Sequence, residues 1–221
     1  MRALRERPPL GAGWDDEPWS QAEPLEVAAF RPESSDHRPR TRARLVHVPD
    51  GLAGLFHVED RFVRSVHTRF QDSVYEDSCV EIFLQPKPGR GYLNFEMNAG
   101  GALLATHISD HRRVPGGFAA FTRLPPQHGR LVEIRSSLPA RVEPEIEGPL
   151  DWELSFFVPT ALLEAYVGAI GPLGGQSWRA NLFKCGDRTS HPHWVSWCPV
   201  DALNFHLPDC FGELRFEPFI R

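Results

Sequence analysis

The chain has 221 residues, 41% hydrophobic and 24% charged, with 24 Lys and Arg against 29 Asp and Glu for a formal charge of −5. That balance, with no basic stripe, excludes nucleic-acid binding by phosphate attraction, and no apolar run is long enough for a membrane-spanning helix. Cys79, Cys185, Cys198 and Cys210 show no paired short spacing, so reduced thiols are expected. In chain order, residues 1–20 read as a disordered or loosely attached arm, because Pro8, Pro9, Gly11, Gly13 and Pro18 break any periodicity. Charges and prolines also stand where a secretion signal needs an apolar stretch, so a cytoplasmic location is expected.

Residues 21–221 read as one domain. Its 21 Pro and 18 Gly, with 15 Phe and 6 Trp in the whole chain, suit many short strands separated by turns. The first predicted strand spans 25–30. Strands at 42–48 and 55–60 then flank the turn Pro49-Asp50-Gly51 as a hairpin. Further strands are predicted at 79–85, 92–98, 103–107, 132–138, 151–158, 178–185 and 212–217. A single short helix is predicted at 159–167, where Pro159 suits a first turn and Leu162, Leu163 and Tyr166 make an apolar face.

Side chains alternate between the two faces of a strand. In residues 79–85, Val80, Ile82 and Leu84 share one face, and Cys79, Glu81, Phe83 and Gln85 the other. In residues 92–98, Leu93, Phe95 and Met97 oppose Tyr92, Asn94, Glu96 and Asn98. The apolar sets are core. A hairpin between these strands lays Glu81 and Phe83 beside Asn94 and Glu96, which predicts an all-β antiparallel sandwich with one polar, aromatic outer face.

The segment Tyr75-Glu76-Asp77-Ser78-Cys79-Val80-Glu81, followed by Ile82-Phe83-Leu84, resembles the "aromatic-x-Asp-Ser-x-x-Glu-hydrophobic" strand of the family 9 carbohydrate-binding modules. The run from Tyr92 to Asn98 with Ala99-Gly100-Gly101 is similar to that family's next strand and turn. Trp152-Glu153-Leu154 with Val158-Pro159, and the closing Phe211-Gly212-Glu213-Leu214-Arg215-Phe216, follow in the family's order. The string from Trp178 to Asp187, with Ser190-His191-Pro192-His193-Trp194, resembles a stand-alone bacterial subgroup.

The resemblance implies a jelly-roll β-sandwich that binds carbohydrate without hydrolysing it, as a terminal sugar unit held between aromatic rings. Tyr75 then takes the first aromatic position and Glu81 accepts hydroxyls. Trp194 is the second aromatic, with Trp197 as its substitute, and His191 stands near the family's polar ligand. Asn94 and Glu96 complete the set, although Glu96 falls where the better-known modules place an Arg. Carbohydrate is the implied partner, with no nucleic acid or membrane. No cofactor is expected, and a structural calcium, with Asp60 or Asp77 contributing, is implied by resemblance alone.

Two other readings stand beside this one. Glu81 and Glu96 as neighbours across a hairpin suit a glycoside hydrolase, whose retaining members hold two carboxyls ~5–5.5 Å apart. The chain also fits a family member that has lost sugar binding. Cys185, His191, His193 and Cys198 have zinc-ligand chemistry, but their spacing matches no known finger.

Overall fold

A computed structural model describes residues 1–219, so the last two positions of the predicted domain lie outside the described residues. In chain order the strands are β1 (Arg2–Ala3), β2 (Pro24–Val27), β3 (Ala29–Phe30), β4 (Arg40–Val48), β5 (Gly51–Ser65), β6 (Cys79–Gln85) and β7 (Tyr92–Asn98). They continue with β8 (Leu103–Val114), β9 (Gly117–Arg123), β10 (Glu133–Ser136), β11 (Val142–Pro159), β12 (Ser177–Cys185), β13 (Trp194–Ser196) and β14 (Gly212–Arg215). Among the described residues there are two α-helices, α1 (Pro126–Gly129) and α2 (Thr160–Val167), beside three short 3-10 turns. The expected short helix is α2, which buries Leu162, Leu163 and Val167. The one-turn α1 is an addition, begun at Pro126 after an extended Pro125.

One sheet runs β1-β4-β5-β11-β10, with β2 also on the edge of β4; the other runs β3-β13-β12-β6-β7-β8-β9, with β14 sharing the edge of β12. All pairs are antiparallel except β1 with β4. The all-β antiparallel sandwich read from the sequence is therefore the observed architecture. The strand predicted at 25–30 divides at Ala28, so that β2 joins β4 in one sheet and β3 joins β13 in the other.

Alternation fixes the core. Val80, Ile82 and Leu84 of β6 and Leu93, Phe95 and Met97 of β7 point inward onto Phe56, Trp152, Leu154 and Phe156 of the facing sheet. The ring of Phe156 lies over Gly54, its neighbour across β5 and β11, where any Cβ would overlap it. Each fully buried side chain of this kind stabilises the fold by roughly 1.5–3 kcal/mol.

A buried ion pair enters this interior. Lys184 of β12 is fully buried, with Nζ 3.5 Å from Asp60 Oδ2 and donating to His193 Nε2 at 2.6 Å. Asp60 also accepts from His37 Nε2 at 2.7 Å and Trp152 Nε1 at 3.2 Å. Burial, and then Lys184, lowers the His193 pKa to about 3, so its neutral ring accepts the lysine proton. A buried charge requires such partners, and this set ties β5 and β11 of one sheet to β12 of the other.

Of residues 1–20, read as a loosely attached arm, Arg2–Ala3 join the first sheet as β1 and the rest packs on its outer side. Trp14 and Trp19 are buried there against Val46, Val48, Ala53, Leu55 and Phe157. Prolines and glycines abolish periodicity in this segment, yet two indole rings supply enough apolar area to hold it down.

Candidate functional site

The outer face of the second sheet is built by the residues that alternation turns away from the core. Phe183 of β12, Glu81 of β6, Glu96 of β7 and Leu104 of β8 are successive register partners, forming one row across four strands. The next row is Asn181, Phe83, Asn94, Thr106 and Arg123. Glu81, Asn94 and Glu96 are the floor of a cavity of about 640 Å³. Tyr75, Asp187 and Trp194 border it beside β12, and Phe118 and Phe121 of β9 with residues 203–206 border it elsewhere.

The floor is deeply buried: relative exposure is 2% at Glu81, 1% at Asn94 and 5% at Glu96. Desolvation penalises their charged forms. Burial pushes the Glu96 carboxyl up to about 8, with Asp187 adding to the rise and the Asn94 amide opposing it. Burial, then Cys185 and Glu96, holds Glu81 well above the ordinary carboxyl range. Asp187 is raised as well, by burial and by Glu76. Among the described residues none of these three carboxyls makes an ion pair.

Hydrogen bonds fix the surroundings. The Asn94 amide nitrogen donates to Glu96 Oε1, while Asn94 Oδ1 is buried without a partner. The Cys185 thiol donates to Glu81 Oε1 at 3.3 Å. Trp194 Nε1 donates to Asp187 Oδ1 at 2.7 Å, and the Asp187 amide donates to Tyr75 O at 3.1 Å. Asp187 therefore anchors both predicted aromatic platforms. Tyr75, Phe121 and Leu203 are among the few large apolar side chains left exposed, and all three border this cavity. A face that combines apolar rings with buried hydrogen-bonding groups suits a ring with an apolar surface and a polar edge.

Of the seven residues singled out from the sequence, Tyr75, Glu81, Asn94, Glu96 and Trp194 meet at this cavity. His191 and Trp197 do not line it. The His191 ring stacks on Phe62 with centroids 3.7 Å apart, in the loop ahead of β13. Trp194 and Ser196 of β13 turn outward, which sends Val195 and Trp197 to the core side. Arg179 and Asn181 are engaged structurally, with Arg179 donating to Asp209 O at 3.1 Å and Asn181 to Cys198 O at 2.9 Å. Asp187 and the rings of Phe118, Phe121 and Phe205 were not singled out; Pro115-Gly116-Gly117 between two runs is the hairpin signal that points to β9.

The donor sets near the predicted cation ligands are already engaged. Calcium takes six to eight oxygen ligands, but Asp77 Oδ2 already accepts from the amides of Val66 and His67 and from Asn98 Nδ2. Asp60 is held by His37, Trp152 and Lys184, so neither carboxylate fits a calcium ion. The residues considered for zinc do not gather, since His193 binds Lys184 and His191 lies on Phe62. Cys79, Glu81 and Cys185 do lie together, with one potential ligand atom from each within 4.8 Å of the others. Burial pushes the Cys79 thiol up to about 12, and in the fold these groups are hydrogen-bonded to one another.

Comparison with known proteins gives a consistent picture. The profile of carbohydrate-binding family 9 matches residues 20–216. A Bacteroides uniformis protein provisionally named as carbohydrate-binding superposes with a TM-score of 0.79 at 28% identity, over 90% of this chain and 88% of that one. A family 9 module from Caldicellulosiruptor kristjanssonii, solved with glucose, gives 0.65 at 13% identity over 100% and 96% of the two chains. The cellotriose complex of a module from the same organism gives 0.66 at 14%, over 99% and 93%. No curated protein matches the chain.

Proposed function

The chain belongs to carbohydrate-binding family 9, and from that premise we propose that it binds a terminal sugar ring in the cavity above Glu81, Asn94 and Glu96 without cleaving it. One observation carries this reading: three polar side chains that strand alternation leaves outward are buried under exposed aromatic residues in an open cavity. Stability does not require buried carboxyls, because apolar residues there would fold at least as well. Their presence suits a ligand that brings hydrogen bonds with it.

In this reading Trp194 and Tyr75 supply apolar surface for the sugar's C–H face, and the floor addresses its hydroxyls. The glucose and cellotriose complexes of the C. kristjanssonii modules make those two sugars the first to try. Calorimetric titration of the native protein with D-glucose and cellotriose tests the proposal. Binding that weakens about tenfold in Trp194→Ala, and less in Glu81→Gln, is expected. Absence of binding by these two sugars and by hexoses altered at a single carbon overturns it.

Hydrolysis is the second reading, favoured by one observation: Glu81 and Glu96 are direct register partners across β6 and β7. A retaining pair also needs one ionised carboxylate as nucleophile. Burial raises both groups, Glu96 to about 8, and so penalises the ionised form a nucleophile needs, which supports binding without cleavage. A measurable hydrolysis that disappears in Glu81→Gln reverses that judgement.

A further inference from the structure

The cavity floor is unbalanced. A neutral sugar's hydroxyls both donate and accept, so a floor shaped for them mixes donors with acceptors. Here the donors closest to the carboxyls are engaged, while Thr106 and Arg123 line the cavity one and two strands beyond Asn94. The Asn94 amide faces Glu96, the Cys185 thiol faces Glu81, and Trp194 Nε1 faces Asp187. What remains on the floor are two carboxyls, acceptors once ionised, and Asn94 Oδ1, which belongs to a side chain 1% exposed and has no partner. An unpartnered buried acceptor of this kind costs about 1–3 kcal/mol unless a ligand satisfies it.

Resting on the sugar-binding reading, we propose that the preferred ligand is an amino sugar, a hexose unit bearing a protonated amine, with its ammonium group among Glu81, Glu96 and Asn94 Oδ1. An ammonium brings three N–H donors and no acceptor, which complements the two carboxyls in their ionised form and Asn94 Oδ1. It is also the partner whose charge offsets the penalty that burial places on ionising these carboxyls. Arg113 does not compete from the far side, because its guanidinium lies over the Phe118 ring at 4.1 Å and donates to Asn204 Oδ1 at 3.2 Å.

The test is calorimetric titration of the full chain with D-glucosamine, D-glucose and N-acetyl-D-glucosamine, at low salt and at a pH where the free amine is protonated. These probes share one ring and differ in the group at one carbon. Glucosamine is expected to bind at least about tenfold more tightly than the other two, the worth of one charge-assisted hydrogen bond. Glu96→Gln is expected to narrow that ratio. Should this variant fail to fold, the N-acetyl comparison on the native protein decides alone. Glucosamine binding no better than glucose overturns the amine preference and leaves sugar binding standing. Failure of all three sugars and of cellotriose to bind removes both.

Discussion

The two outer faces of the sandwich start from the same alternation and end differently. On the first sheet, outward Val46, Val48, Ala53, Leu55 and Phe157 are apolar, and the N-terminal segment closes over them with Trp14 and Trp19. On the second sheet, the outward positions of β6 and β7 include Glu81, Asn94 and Glu96, and a cavity remains above them. The first face serves the fold and lowers free energy by burying area. The second retains buried carboxyls that raise it. Among the described residues, buried carboxyls lining a cavity with no ion-pair partner are thus the mark that separates the ligand-facing side from the structural one.

The largest effect expected from this comparison is on the closed face. Trp19 is fully buried, so Trp19→Ala should cost about 3–5 kcal/mol in urea unfolding while sugar affinity of the folded protein is unchanged. A loss below about 1 kcal/mol contradicts the claim that the segment is integral to the fold.

Next comes the pH dependence of the open face. Glu96 titrates near 4.5 in the unfolded chain and at about 8 in the folded one. The folded state keeps a proton that the unfolded state releases. This stabilising contribution is therefore complete below about 4.5 and is lost as pH rises through about 8. Unfolding free energies from urea titrations across that window should fall for the native protein relative to Glu96→Gln, by at most about 1.4 kcal/mol for each pH unit. A difference that stays flat places the Glu96 charge in a solvated setting.

The smallest effect concerns the rim. Phe121 of β9 is 44% exposed, so Phe121→Ala should leave stability within about 0.5 kcal/mol and weaken sugar binding only a few-fold, less than Trp194→Ala. A larger loss than at Trp194 moves the principal stacking surface to β9.

How legible each face was in the sequence follows from range. The period-two pattern of residues 79–85 and 92–98 is local, so the outward position of Glu81, Asn94 and Glu96 could be read directly, and the core set with it. Tyr75 and Trp194 came from motif resemblance. Trp197 went astray because β13 is three residues long, too short to display the parity that turns Trp197 inward. Asp187 was hidden because its importance lies in contacts to Tyr75 and Trp194 made across the fold. The arm was misjudged for the same reason: burial of Trp14 and Trp19 depends on the distant strands β4, β5 and β11, and no local period announces it.

The central claim is that ligand meets the second sheet's outer face and leaves the first sheet's covered face untouched. Amide and side-chain NMR shifts followed while glucosamine or glucose is added test it most directly. The account predicts that shifts concentrate at Glu81, Asn94, Glu96, Asp187 and the Trp194 indole, with Trp14 and Trp19 unmoved. Shifts concentrated around Trp14, Trp19 and Phe157, with the Glu81 and Glu96 strands silent, would contradict it.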